Sequence, residues 1–176
     1  MRAKRQLKVK KMVLSAVFSA ISVVILWIGG ILGDLDLTFA AFSSLIIVLS
    51  IVEMGTGYAF LVYCVTSTLC LILFPTFFIT PMYVLFVGIF PIIKYYFEKL
   101  NKFLAFLLKI VFTNLMLFLL LYLGSNIFGI KDDTAAWIII LLGNVAFILF
   151  DYALTGLVAI YEAKIRKKIG IKKMLK

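Results

Sequence analysis

Basic residues in this chain are confined to three clusters separated by long apolar stretches, and that spacing constrains the fold more than any motif. The clusters are the N-terminus (Arg2, Lys4, Arg5, Lys8, Lys10, Lys11), a central patch (Lys94, Lys99, Lys102, Lys109) and the C-terminus (Lys164, Arg166, Lys167, Lys168, Lys172, Lys173, Lys176). Only Lys131 lies outside them. Lys and Arg close to the ends of membrane spans are retained on the cytoplasmic side. All three clusters are then cytoplasmic, and the number of spans between any two of them is even. The intervening stretches suit spans, since 65% of all residues are hydrophobic and 15% charged, against about 45–50% and about 25% in soluble domains.

A spanning helix needs roughly 20 apolar residues, which predicts spans at about 12–32, 38–53, 56–74, 81–98, 103–124 and 136–161. Four precede the central patch and two follow it, so parity holds. The fold class expected is all-α: a polytopic membrane protein of six transmembrane helices, N- and C-termini cytoplasmic, forming one membrane domain over residues 1–176. The basic-then-apolar start imitates a secretory signal peptide, but the apolar run continues to about Leu32 without a small-x-small cleavage site, so it is read as a retained first span. Between spans two and three the only interruption is Glu53-Met54-Gly55-Thr56-Gly57. A carboxylate with two glycines suits an inner turn, whereas an unpaired Glu at the bilayer centre is costly. The outward loops are then Gly33–Leu37 with Asp34 and Asp36, Pro75–Thr80, and Ser125–Ala135 with Lys131, Asp132 and Asp133.

Several chemistries are excluded by composition. The net charge of +10 reads as topology signal and attraction to anionic lipid headgroups, with no nucleic-acid partner. There is no His, which removes imidazole ligands and bases, and Cys64 and Cys70 sit six residues apart on different helical faces. The Asp34/Asp36 and Asp132/Asp133 pairs have no neighbouring ligand to complete a metal site and read as solvated loop charge. No phosphate loop or nucleophile motif is present. The expectation is a non-enzyme without catalytic residues, metal or cofactor.

A small set of polar residues within the spans remains: Lys94, Lys109, Asn114, Asn144 and Asp151. Charged groups there cost about 2.5–3.5 kcal/mol each on insertion scales, so they face a bundle interior, a cavity or one another. Lys94 and Lys109 are close enough to the cytoplasmic end to snorkel; Asp151 is too deep and needs a partner. Two readings stay open. One is an ion pair of Asp151 with Lys94 or Lys109 that fixes helix packing. The other is a substrate pocket among spans four to six, built from Asn114, Asn144, Asp151 and Lys94. Aromatic residues toward the outer face (Trp27, Phe39, Tyr83, Phe86, Tyr122, Trp137) belong either to that pocket, with Tyr83 and Trp27 as candidates, or to interfacial belts. In the first span, Ser15/Ser19 and Ala16/Ala20 are spaced four apart, a small-residue strip that another helix can approach closely.

Taken together, these features resemble the substrate-binding S components of energy-coupling factor (ECF) vitamin transporters, six-helix proteins of about this size with a basic N-terminus and an Ala-x-x-x-Ala motif in the first helix. Here that motif is Ala16-Val17-Phe18-Ser19-Ala20, just after Lys10-Lys11. The short acidic loop after the first span also fits, as does the stretch from Pro81 to Lys94, which looks like one in S-component-like proteins of unassigned substrate. Substrate signatures of the thiamine, riboflavin, biotin and folate members are missing, and the lack of His disfavours metal transport. The resemblance implies a multi-pass protein of the bacterial cell membrane that binds a small water-soluble vitamin or precursor. It also implies docking through Ala16 and Ala20 on a T component coupled to two cytoplasmic ATPase subunits. The alternatives are a stand-alone small carrier and a non-catalytic membrane scaffold.

Overall fold

The computed structural model describes residues 2–126, 136–161 and 163, and among them six helical stretches are long and apolar enough to cross a membrane. In chain order the helices are α1 (Arg2–Leu32), α2 (Asp36–Met54), α3 (Thr56–Leu73), α4 (Ile79–Met82), α5 (Phe90–Phe97), α6 (Lys102–Asn126) and α7 (Ala136–Ile160). The protein is an all-α, six-span membrane protein. Residues 127–135 of the expected outward loop, with Lys131, Asp132 and Asp133, and the C-terminal basic cluster lie outside the described residues.

Helices α1, α2 and α3 form a tightly packed three-helix unit. The expected turn between the second and third spans is present, and Gly55 makes it: its φ of +97° and ψ of 167° lie in a region open essentially only to glycine. At this end the Lys11 ammonium donates to the Met54 carbonyl at 3.1 Å, and the Tyr161 hydroxyl donates to Glu53 at 3.1 Å. The start of α1, the α2–α3 turn and the end of α7 therefore share one face, on which Lys10 and Lys11 also lie. At the opposite end Gly29 and Gly30 of α1 pack against Phe39, Phe77 and Ile79.

Two elements depart from the sequence expectation. Helix α1 begins at Arg2 instead of near residue 12, because the Lys/Arg-rich run contains good helix formers and continues the helix beyond the hydrocarbon. The fourth span is no single helix: α4 passes into a five-residue π-helical segment, Tyr83–Val87, before α5. Pro91, in the first turn of α5, has no N–H to give the carbonyl one turn back and its ring crowds that carbonyl. The backbone widens just before it, with the Gly88 N–H donating to the Tyr83 carbonyl five residues back at 2.8 Å. A Cβ on Gly88 would lie 2.8 Å from both the Tyr83 ring and its carbonyl oxygen, so glycine is required for this closure.

Because nothing crowds Gly55, its backbone alone decides the effect of substitution. Gly55→Ala is expected to lower stability by about 1–3 kcal/mol, read from equilibrium unfolding in mixed micelles; unchanged stability would rule out the positive-φ turn.

Candidate functional site

Three groups of polar side chains and one cavity occupy the membrane interior. The first group joins the fourth span to α6 and α7. Lys94, on α5, donates to the Asp151 carboxylate at 2.5 Å, the Asp151 carbonyl at 2.7 Å and the Thr155 hydroxyl at 2.6 Å. Lys109, on α6, donates to both Asp151 oxygens at 3.1 and 2.9 Å and to Glu98 at 3.2 Å, and Glu98 also lies 3.5 Å from Lys94. Both lysines are buried, at 6% and 8% exposure, so neither snorkels. Two ammonium groups and two carboxylates make a formally neutral quartet, the condition under which charge is tolerated at this depth. Glu98 was missed in the sequence, although its position one turn after Lys94 is a legible i,i+4 pair.

The second group is a reciprocal amide pair. The Asn114 amide donates to the Asn144 side-chain oxygen at 3.3 Å and Asn144 returns the bond at 3.0 Å. Each spends its other N–H on its own helix, Asn114 on the Ile110 carbonyl at 3.0 Å and Asn144 on the Ile140 carbonyl at 2.9 Å. All four amide donors are thus used, and the pair bolts α6 to α7.

The third group surrounds Tyr83, which is wholly buried beside Ser43 of α2 and Thr66 of α3. Nothing in the sequence singles out these two hydroxyls, because serines and threonines are scattered through α1, α2 and α3.

A cavity of about 400 Å³ opens between α2, the fourth span, α6 and α7, within the roughly 300–1,000 Å³ of small-molecule pockets. Leu37 and Thr38, at the start of α2, form its exposed rim, while Phe86, Leu120 and Phe147 are buried in its wall. Below it the Phe90 ring meets Phe147 edge-on at 4.8 Å and Phe112 and Phe150 at 6.3 and 5.9 Å. That aromatic layer separates the cavity from the ion quartet one turn further on.

The predicted site residues therefore separate instead of converging. Lys94 and Asp151 meet in the quartet, Asn114 and Asn144 meet each other, and Tyr83 lies beside Ser43 and Thr66. Trp27 points away from the bundle with 51% exposure. None of the six lines the cavity; of the outer aromatic residues, Phe86 does. Ala16 and Ala20 are exposed on α1. Among the described residues no group of three or more Cys, Asp or Glu is placed to hold a metal ion.

Removing the central carboxylate tests the quartet. Asp151→Asn leaves two buried ammonium groups with Glu98 as their one remaining carboxylate, and a loss of about 3–5 kcal/mol is expected from breaking such a buried pair. The readout is unfolding in mixed micelles; a variant as stable as the parent would show that the lysines have another outlet.

Comparison with protein families, characterised proteins and solved structures finds no match to this chain.

Proposed function

We propose that this protein is the substrate-binding subunit of an ECF-type transporter in a bacterial cell membrane, capturing a small vitamin-like molecule and docking on a T component with two ATPases. The observation that carries the proposal is how α1 sorts its small residues. Ser15 and Ser19 turn inward: the Ser15 hydroxyl reaches the Met54 sulfur at 3.6 Å and the Ser19 hydroxyl the Val62 carbonyl at 3.4 Å. Ala16 and Ala20 turn outward, flanked by the exposed Val13, Val17 and Val24. The outward strip is shallow and apolar, the surface on which a partner helix approaches most closely. In this reading the cavity at the end opposite the basic residues receives the ligand, while quartet and amide pair hold spans four to six together. The neutral, mutually satisfied quartet is also what a scaffold would contain, so the decision falls on α1.

The test is a mild-detergent pull-down of tagged protein from its native membrane, with mass spectrometry of what accompanies it. Wild type is expected to bring a T component and two ATPases, and Ala16→Trp or Ala20→Trp to reduce their recovery at least tenfold without loss of folded protein. Unchanged recovery in both variants would remove the docking role, and a folded wild type without these partners would remove the transporter reading.

A further inference from the structure

The wall of the cavity at the outer end is marked by what it withholds. Among the described residues that line it, Thr38 on the rim is the one with a polar side-chain group; the rest are aliphatic and aromatic side chains, Met82 and Gly143. The deep wall belongs to the interior of the bundle and not to its lipid-facing surface, since Met82, Phe86, Val87, Leu120 and Phe147 are each at most 8% exposed. Its volume of about 400 Å³ lies toward the lower end of small-molecule pockets.

Three helices repeat one pattern that keeps charge out of this space. Each carries a phenylalanine on the cavity side and a charged residue one turn nearer the basic end: Phe90 and Lys94 on α5, Phe112 and Lys109 on α6, Phe147 and Asp151 on α7. The rings pack on one another, Phe90 lying 6.3 Å from Phe112 and 4.8 Å from Phe147 between centroids. The charges beyond them are spent within the neutral quartet. Asn114 and Asn144 are closed in the same way, with their amide donors used on each other and on their own helices, and neither lines the cavity. Asp36 precedes Leu37 on α2, but the cavity face of that helix carries Leu37, Thr38 and Ala41. A step of about 100° back from Leu37 puts Asp36 on the far side from Thr38.

A charged ligand in such a wall finds neither a counter-charge nor enough hydrogen bonds to repay its dehydration. Attraction of a cation to the phenylalanine faces is small beside that cost when no carboxylate is at hand. A ring is repaid, because aromatic pairs are favourable at about 4.5–7 Å between centroids. Phe86 and Phe147 in the wall already pair at 5.8 Å, and Phe150 lies one turn from Phe147 on α7. We propose that the cavity takes an uncharged aromatic molecule of one or two rings, with its single hydrogen-bonding group set against the Thr38 hydroxyl at the rim. That this molecule is cargo rests on the transporter reading; that it binds does not.

The test uses full-length protein in lipid nanodiscs and photoreactive probes sharing one trifluoromethyl-diazirinyl phenyl ring: the benzyl alcohol, the benzoate, the benzyl-trimethylammonium and the toluene. Labelled residues are mapped by mass spectrometry at equal bilayer-bound probe. The neutral alcohol is expected to label Met82 and Phe147 saturably, at least tenfold more than the anion or the cation, and trifluoromethylbenzyl alcohol to displace it. Ala41→Phe and Ala146→Phe, which fill the cavity from α2 and α7, reduce this labelling at least fivefold. Thr38→Val lowers labelling by the alcohol at least threefold and leaves the toluene unaffected. Displacement in wild type requires no variant to fold. Equal labelling by a charged probe, labelling confined to lipid-facing residues such as Leu141 and Leu142, or an alcohol indifferent to Thr38→Val would each overturn the proposal. So would a phosphatidylcholine with a photoreactive tail that labels Met82 and resists displacement by the alcohol, which would make the cavity a seat for bilayer lipid. Recovery of a T component from native membranes without neutral labelling keeps the transporter reading and removes aromatic cargo, whereas the converse keeps the site and removes the transporter.

Discussion

The hydrocarbon core offers no water to a polar group, so every such group in a span must be answered by the protein. Among α5, α6 and α7 this chain meets that demand locally and with balanced charge. Lys94 and Lys109 share Asp151 and Glu98, and Asn114 and Asn144 exchange amide bonds. The quartet joins the last three spans and the amide pair the last two, whose helices α6 and α7 otherwise present large exposed apolar faces. Polar pairing thus supplies specificity of register where apolar packing against a lipid-like environment supplies little. Spans one to three behave differently, with small serines and alanines that allow the backbones to approach.

Much of this was legible in the sequence. Clustering of basic residues and the length of the apolar runs gave the six spans, and Glu53-Met54-Gly55-Thr56-Gly57 marked the turn that Gly55 makes. The need of Asp151 for a partner followed from depth alone. What depth cannot supply is rotation about the helix axis. Lys94 and Lys109 are equally compatible with snorkelling and with pairing until their azimuth is known, and that azimuth depends on neighbours far along the chain. Of the two readings open for Asp151, an ion pair with Lys94 or Lys109 and a shared pocket with Asn114 and Asn144, the contacts made are the ion pairs, while the two asparagines pair with each other. The grouping of Ser43 and Thr66 around Tyr83 was illegible for a related reason, since which hydroxyls face a common neighbour depends on that same azimuth.

Helix α1 shows how neighbouring small residues acquire opposite assignments. Ser15 and Ala16 differ by one position, about 100° around the helix, and that step separates the interior of the bundle from its surface. The hydroxyls face protein backbone and sulfur, whereas the methyl groups face outward. Polarity and shape agree on this helix, a consistency expected of a sequence that specifies one orientation.

The π-helical segment of the fourth span acts as a crank. Lys94 follows Tyr83 by eleven residues, about three turns of a regular α-helix, so in an unbroken helix the two side chains would project in nearly the same direction. In this fold Tyr83 addresses α2 and α3 while Lys94 addresses α7, and the widened turn between them supplies the difference in heading. One span can thereby serve two partners on different sides of the molecule. A single residue gained or lost between Val84 and Gly88 would swing one of these groups by about 100°, away from the partners it now faces.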